Sequence, residues 1–558
     1  MKTCDGASGR SRRKHGLWLD YLQIAIAFGK EFWMHRDAVI LGSGFSGSLL
    51  AWILAASGRS VLVLDRQQHP RFAIGESSTP TADFLLAHLA DRWNLPNLAP
   101  LACWGTWKQS YPNVLGGKKR GFSYYQHLPG KCFQEDPQHQ HSLLVAASCE
   151  DHWSDTHWLR SSVDHFLAQQ ATAAGASIQE RHEVIQCNWD PTCRRWQVDF
   201  QPLDNPSRQI HSIQTPWVID ASGAGAAMGP WVNNQRDDGW MRTRTRAIFG
   251  HFTGVADFHP SACNDDPFAG DDAAQHHLLD SGWIWMLRME SGITSVGLVE
   301  PCGNQSPLPN PEHHFQKRLA DFPTIAQLMS QASCIAPTTG MGQTSGRMSR
   351  CMSKAAGPGW FSLPLAYGFV DPLHSSGIAH ALSGVVRVAE AITGDSKELP
   401  ERIERYNREL RREVEWIDLL VACCYEVQPC FERFRAAASL YFVAAIAFEQ
   451  QLARDPAHWP LGFLQSDDIR MKQVATEIYN SLQEEKKASD FNDLKRASDW
   501  SAFVADQIKP WDPVGLLDPK HRNRIAHSSA PKYAAIASRG GGKSQNVNRR
   551  NPGESPER

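Results

Sequence analysis

Hydrophobic and polar positions follow one rhythm as far as about Ile392 and another beyond it. Up to that point, short apolar runs alternate with glycine-rich turns. Ala38-Val39-Ile40-Leu41 and Val61-Leu62-Val63-Leu64 are short and continuously apolar, as buried strands are, and in Ser281 to Leu287 the residues Trp283 and Trp285 share one face of an expected strand. Ile378 to Ile392 is apolar and alanine-rich, which predicts a helix. Beyond it the period becomes helical. Pro400 to Leu420 is charged with an apolar stripe, Phe431 to Leu452 is mostly apolar, and Asp467 to Phe503 is amphipathic. The longest apolar run, Ala436 to Phe448, is too short for a bilayer span and reads as a buried helix. From about Ser538 the chain offers Gly, Ser, Asn, Arg and Pro with nothing to bury, which predicts disorder. The pattern therefore divides into a leader at 1–33, a body at 34–395, a helical region at 396–537 and a tail at 538–558.

Two stretches carry chemistry. The first strand runs into Gly42-Ser43-Gly44-Phe45-Ser46-Gly47, and Ala51 continues the small-residue face of the helix that follows. In such a turn the first glycine permits the tight bend, the second lets a pyrophosphate approach the backbone, and the third lets helix and strand pack closely. The next strand ends in Asp65, about twenty residues on, where a ribose-binding carboxylate belongs. Gly42, Gly44, Gly47 and Asp65 are thus assigned to a dinucleotide, against the alternative of a glycine-rich turn in some other α/β unit. Far downstream, Phe369 to Gly377 reads FVDPLHSSG. A tight Asp371-Pro372 turn followed by Ser375, Ser376 and Gly377 at a helix start points backbone N–H groups outward as an anion cradle. By itself this is also an ordinary loop-to-helix start.

Arg71 to Ser77, Leu159 to Asp164 and Val218 to Gly223 resemble segments of flavin-dependent halogenases and their monooxygenase relatives. Ser281 to Leu287 resembles the tryptophan-bearing signature of the halogenases, and Gly105-Thr106-Trp107-Lys108 their lysine segment. The resemblance runs from Ala38 to about Ile392. It implies an α/β, Rossmann-type FAD-binding fold with an antiparallel substrate-side sheet and a C-terminal helical region. It implies FAD contacts at Arg66, Glu76, Arg160, Asp220, Gly223, Asp371, Pro372 and Gly377, and halide held by the amides of Ser375, Ser376 and Gly377. Trp283, Trp285 and His374 would then form the wall between flavin and substrate, and Lys108 would carry the activated halogen. Desolvation makes a neutral amine available on a partly buried lysine. A solvated Lys108 and a pair of core tryptophans are the bland alternatives. A separate flavin reductase would supply reduced FAD, and the substrate would be an electron-rich aromatic, free or carrier-bound.

Three positions depart from the pattern. Arg288 stands where the signature has proline, and His374 where tryptophan halogenases have an acidic residue, which argues against tryptophan as substrate. Ser362-Leu363-Pro364-Leu365 occupies the place of a Gly-Asp that contacts the ribityl chain in related flavoproteins. These changes keep two rivals open: an FAD-dependent monooxygenase or oxidoreductase without halide, and a non-catalytic flavin-binding protein.

Composition adds limits. The 558 residues suffice for a large core, and a net charge of −2 gives no electrostatic footprint for nucleic acid. The basic runs Arg10 to Lys14 and Arg347 to Lys354 read as solvated segments. The 20 tryptophans suit aromatic-lined pockets as well as a heavy core. Thirteen scattered cysteines without a CxxC argue against a disulfide framework and for a reducing cytoplasm. The pairs His276-His277 and His313-His314, and His139 with His141, lack metal-helix spacing, so no metal is assigned. A basic start followed by an apolar stretch mimics a signal peptide, but Asp20 and Gln23 interrupt it, and Met1 to Trp33 reads as an appended leader.

Overall fold

The computed structural model describes residues 34–529, except 205–208, 261–264, 304–306, 456–461, 488–489 and the single positions 345, 429 and 492. The expected leader and tail lie outside the described residues. The strand Ala38–Leu41 sits at the centre of a six-stranded sheet, flanked by Val61–Leu64 on one side and Val218–Asp220 on the other. Both neighbours run parallel to it, in register Ala38↔Val61 and Val218↔Val39. All four residues of each apolar run are buried, because helices and a second sheet cover both faces. The helices Phe45–Ala56, Arg160–Ala173 and Gly377–Thr393 lie against this sheet and share its core.

A second, nine-stranded sheet stands beyond the strand ends and is mostly antiparallel. Its centre is the run Gly121–Gln126, Ala273–Leu278, Trp283–Arg288, Thr294–Pro301 and Thr245–Thr253. Strand alternation divides its aromatics. Phe122 and Tyr124 face the helix Phe431–Arg454, meeting Phe434, Tyr441 and Phe442 at centroid distances of 5.4–6.4 Å. Tyr125 faces the other way, onto Phe133 and Phe258. A separate four-stranded sheet, Met34–His35, His211–Thr215, Arg195–Pro202 and His182–Asp190, flanks the nucleotide side.

The helical region begins with Leu399–Val427, whose Pro400 sits in the first turn, where its missing N–H costs nothing. Phe431–Arg454 is long and apolar enough to cross a membrane, yet 78% of its apolar window is buried inside the protein, so it is a core helix. The amphipathic stretch expected from Asp467 to Phe503 is two helices, Ile469–Glu485 and Leu494–Ile508. The side chains of Asp468 and Asp493 cap their N-termini, accepting from the N–H of Met471 and Arg496. After them the chain returns to the large sheet. Arg524–Ile525 pairs in parallel with Leu144–Val145, and Arg524 is buried against Asp266 and Glu135.

Candidate functional site

A cavity of about 1880 Å³ runs between the two sheets from the nucleotide-side strand ends to the helix start at Gly377. Its position outside the carboxyl ends of parallel strands is where α/β folds bind ligands. Gly42 has φ +107°, and a Cβ there would fall 2.7 Å from the carbonyl oxygen of Ala221. A Cβ on Gly47 would fall 2.1 Å from the oxygen of Gly42, so Gly47 sets helix packing and does not itself line the cavity. Gly44 opens onto space, with Arg160 and Asp164 as its nearest neighbours at 3.8 Å. That is a bare-backbone approach facing a guanidinium, as a pyrophosphate requires.

Asp65 lines the cavity at the next strand end. One carboxylate oxygen accepts from the N–H and hydroxyl of Ser43 at 2.7 and 2.8 Å and from Arg71 at 2.9 Å, and the other from the N–H of Gln67 at 2.8 Å. Arg66 lines the same end. Arg160 holds Asp164 in a double contact at 2.7 and 2.8 Å and donates to the carbonyls of Ile74 and Gly75, which fixes the loop before Glu76. Glu76 faces the cavity and is bonded to His251 at 2.7 Å. Gly223 lines it as well, with the turn from Ala221. The residues present thus fit an elongated dinucleotide carrying a central diphosphate.

Asp220 is a correction to the expected contacts. Its carboxylate is turned into the protein, accepting from the N–H and hydroxyl of Ser222 and the N–H of Met228, and burial raises its pKa. It shapes the turn that lines the cavity without lining it. Asp371 is a second correction. It is enclosed, accepts from Thr245 at 2.5 Å, Tyr425 at 3.0 Å and the N–H of Leu373, and is pushed up to about 6 by burial. Because the Tyr425 hydroxyl also accepts from the indole N–H of Trp283 at 2.8 Å, Asp371 ties the FVDPLHSSG loop to the tryptophan wall. Pro372, Ser375 and Gly377 do face the cavity, and Ser375 has φ +52°. Ser376 is the N-cap of the helix Gly377–Thr393, whose first turn holds no acidic residue. Among the described residues, the N–H groups of Ser376, Gly377 and Ile378 have no acceptor, as at any helix start.

At the aromatic end, Trp283 and Trp285 line the cavity with their ring centroids 6.1 Å apart. His374 does not join them: it stacks on Tyr441 at 4.3 Å, buried behind the loop. The imidazole on the wall is His276, 5.0 Å from Trp283 and stacked on Tyr124 at 4.5 Å. Burial holds His157, His276 and His374 neutral, at about 3, about 4 and about 3. Leu363 and Leu365, in place of the Gly-Asp of related flavoproteins, give the wall an apolar surface.

Lys108 lies away from the cavity wall. Its Nζ pairs with Glu290 at 2.8 Å and donates to the carbonyl of Pro112 at 2.9 Å, in the short helix Trp104–Ser110. A different lysine is enclosed. Lys119, in the strand Gly116–Lys119, has no solvent exposure. Its Nζ donates to the carbonyl of Ser78, one residue from cavity-lining Ser77, and stands 3.8 Å from the Phe122 ring centroid. The signal was present in the sequence as Lys118-Lys119-Arg120 entering an aromatic strand, where alternation buries Lys119 and leaves Lys118 partly exposed. The run Arg347 to Lys354, expected to be solvated, also differs: Arg347 and Arg350 line the cavity. Elsewhere, Asp257, His259 and Asp271 converge at the surface, with Asp271 already paired to Arg288 at 2.8 Å.

The fold and cavity define an α/β dinucleotide-binding protein with an aromatic wall at the far end of its cavity. An NAD(P)-binding Rossmann-like domain matches residues 40–95, and the tryptophan halogenase family matches residues 160–433. The chain is 27% identical over 446 residues to monodechloroaminopyrrolnitrin halogenase PrnC of Pseudomonas fluorescens, covering 76% of this chain and 74% of that one. It is 26% identical to tetracycline 7-halogenase of Kitasatospora aureofaciens, covering 69% of each. Among solved structures, halogenase PltM in complex with phloroglucinol and FAD shares the fold with a TM-score of 0.75 at 22% identity, covering 88% of this chain and 99% of that chain. Over most of its length the chain is thus similar to flavin-dependent halogenases.

Proposed function

We propose that this protein halogenates an electron-rich aromatic small molecule, using reduced FAD, dioxygen and a halide ion. One observation carries the reading. A single cavity brings together helix-start amides without acceptors, a two-tryptophan wall and, one layer behind Ser77, a fully buried lysine. When bound, reduced FAD supplies the activation of dioxygen that converts halide to an electrophilic halogen. Gly42, Gly44, Asp65, Arg66 and Arg160 would hold the dinucleotide, and the amides of Ser376 and Gly377 would hold the halide. Trp283 and Trp285 exclude water between the two ends of the cavity. Lys119, rather than Lys108, carries or polarises the activated halogen at its Nζ, and its charge together with burial keeps the imidazoles of His157 and His276 neutral. The loss of an acidic residue at His374 fits a substrate other than tryptophan. A separate flavin reductase as electron source and a reducing cytoplasm complete the proposal, in keeping with the unpaired cysteines.

The test is mass spectrometry of reactions containing the protein, FAD, a flavin reductase, NADH, bromide and a panel of phenols, pyrroles and indoles. The expected result is a bromine isotope doublet that falls by about a thousandfold or more in Lys119→Met with FAD affinity retained, and stays within about threefold in Lys108→Ala. An oxygen-addition product independent of bromide would move the protein to the monooxygenases. Parent-rate bromination by Lys119→Met would return the role to another residue.

A further inference from the structure

Six arginines line the cavity: Arg66, Arg71, Arg160, Arg236, Arg347 and Arg350. Five of them have a carboxylate. Arg66 meets Glu183 at 3.6 Å, Arg71 meets Asp65 at 2.9 Å, and Arg160 meets Asp164 at 2.7 Å. Arg236 and Arg347 share Asp238, at 3.1 and 2.6 Å. Arg350 has none among the described residues. Its Nη2 donates to the carbonyl of Leu365 at 2.6 Å and its Nη1 to that of Met348 at 3.4 Å, both neutral acceptors. Its Nε is enclosed with no hydrogen-bond partner. Burial and the neighbouring charge of Arg236 push the guanidinium down to about 10. A buried cation held only by carbonyls is costly unless an anion joins it.

The backbone fixes this group relative to the halide loop. Arg350–Cys351 pairs with Gly368–Phe369, so Arg350 lies opposite Phe369 in the ladder, its guanidinium 5.6 Å from that ring. A ring carbon of Phe369 also lies 3.8 Å from where a Cβ on Gly377 would stand, so one side chain touches both the guanidinium and the helix start. Arg347 and Arg350 are enclosed with Asp238 while Arg236 is more than half exposed, so the enclosed charges leave a local surplus of one positive charge. A surplus inside a walled cavity concentrates small anions. The niche itself is apolar, formed by Met348, Met352, Leu365 and Phe369, and it offers the guanidinium as its donor. A phosphate asks for several converging donors, whereas a halide is satisfied by one or two.

We infer that Arg350 is a halide-binding station inside the cavity, separate from the amides at Ser376 and Gly377, where halide is collected before it passes Phe369 to the helix start. The inference rests on the halogenase reading. Crystals of the FAD-loaded protein soaked in bromide test it by anomalous diffraction. The expected result is one bromide at ion-pair distance from the Arg350 guanidinium and a second at the helix start. In solution, Arg350→Gln raises the KM for bromide at least about tenfold, the ratio that about 1.4 kcal/mol represents, and leaves the KM for the arene within about twofold. Arg350→Lys recovers part of the difference. Bromide at the helix start alone, or an FAD oxygen seated on the guanidinium, overturns the station and leaves the halogenase reading standing. Bromide at neither place, with no brominated product from the wild type, removes the halogenase reading itself. Because the diffraction arm uses the wild type, a variant that fails to fold does not rescue the inference.

Discussion

At the nucleotide end of the cavity, the short stretch from Gly42 to Asp65 supplies the strand end, the turn, the helix start and the carboxylate, and its polar groups satisfy one another locally through Ser43 and Gln67. At the aromatic end each wall comes from a different part of the chain. Lys119, His276, Trp283, Asp371 and Tyr425 come from two sheets, a loop and the helix Leu399–Val427, and the hydrogen bonds from Lys119 to Ser78, His276 to Ser123, Trp283 to Tyr425 and Tyr425 to Asp371 span 41 to 153 residues. The difference teaches that a cofactor end can be built as one local motif, whereas a chamber for a rigid planar substrate is held by tertiary packing. The first should fail through a single backbone contact, the second through loss of its buried charge network.

The largest expected effect breaks the nucleotide end. Gly47→Val places side-chain atoms against the oxygen of Gly42, and FAD affinity should fall by about a hundredfold, equivalent to about 3 kcal/mol, in a flavin-fluorescence titration. Retained affinity would mean that the turn is not the cofactor seat.

Next comes the helical side. Burial opposes ionisation of Glu413, but the Arg387 and His380 charges hold it down at about 2. Its contribution to stability is therefore complete above the ordinary carboxylate range and is lost as pH falls through about 2. Glu413→Gln leaves Arg387 with Glu409 as its one carboxylate among the described residues, and urea unfolding at pH 7 should show a loss of about 2 kcal/mol, with a weaker acid dependence than the wild type. An unchanged urea midpoint would show that packing alone secures the cover.

The smallest effect concerns the loop that joins the two ends. Asp371 is raised to about 6, so its protonated form is favoured in the folded protein; the stabilisation is full below about 4 and is lost as pH rises through about 6. Between those values the wild type should lose up to about 1.4 kcal/mol per pH unit relative to Asp371→Asn, measured by chemical unfolding across pH 4 to 8. Parallel curves for the two proteins would show that the carboxyl does not titrate there.

The same contrast explains what could be read from the residues. The strands at Ala38 and Val61, the helix after Gly377 and the cavity-facing Gly42, Gly44, Asp65 and Arg160 follow from contiguous patterns. Trp283 and Trp285 were legible as a strand face. Lys119 does not stand out in the sequence, because a lysine's burial depends on the sheet it enters and the helix that covers it; the Thr-Trp-Lys segment points to Lys108, which the fold pairs with Glu290. Asp371 and Asp220 carry the right residue type at the right place in sequence, but their carboxylates saturate neighbouring backbone and hydroxyl donors. The arginines after residue 346 read as solvated because charge runs usually are; Arg347 and Arg350 both line the cavity, and the pairing of Arg350–Cys351 with Gly368–Phe369 is what places Arg350 there.

The strand Arg524–Ile525 places a constraint on time. Its partners, Leu144 and Val145, are synthesised hundreds of residues earlier, and Ser528 and Ser529 bond to the carbonyls of Ala146 and Ala147 just beyond them. During synthesis the large sheet therefore waits with an open edge until almost the whole chain has been made, while the nucleotide-binding βα unit is already complete. A chain that stops short of residue 525 lacks the partner of Leu144 and Val145 and leaves that edge of the large sheet one strand short.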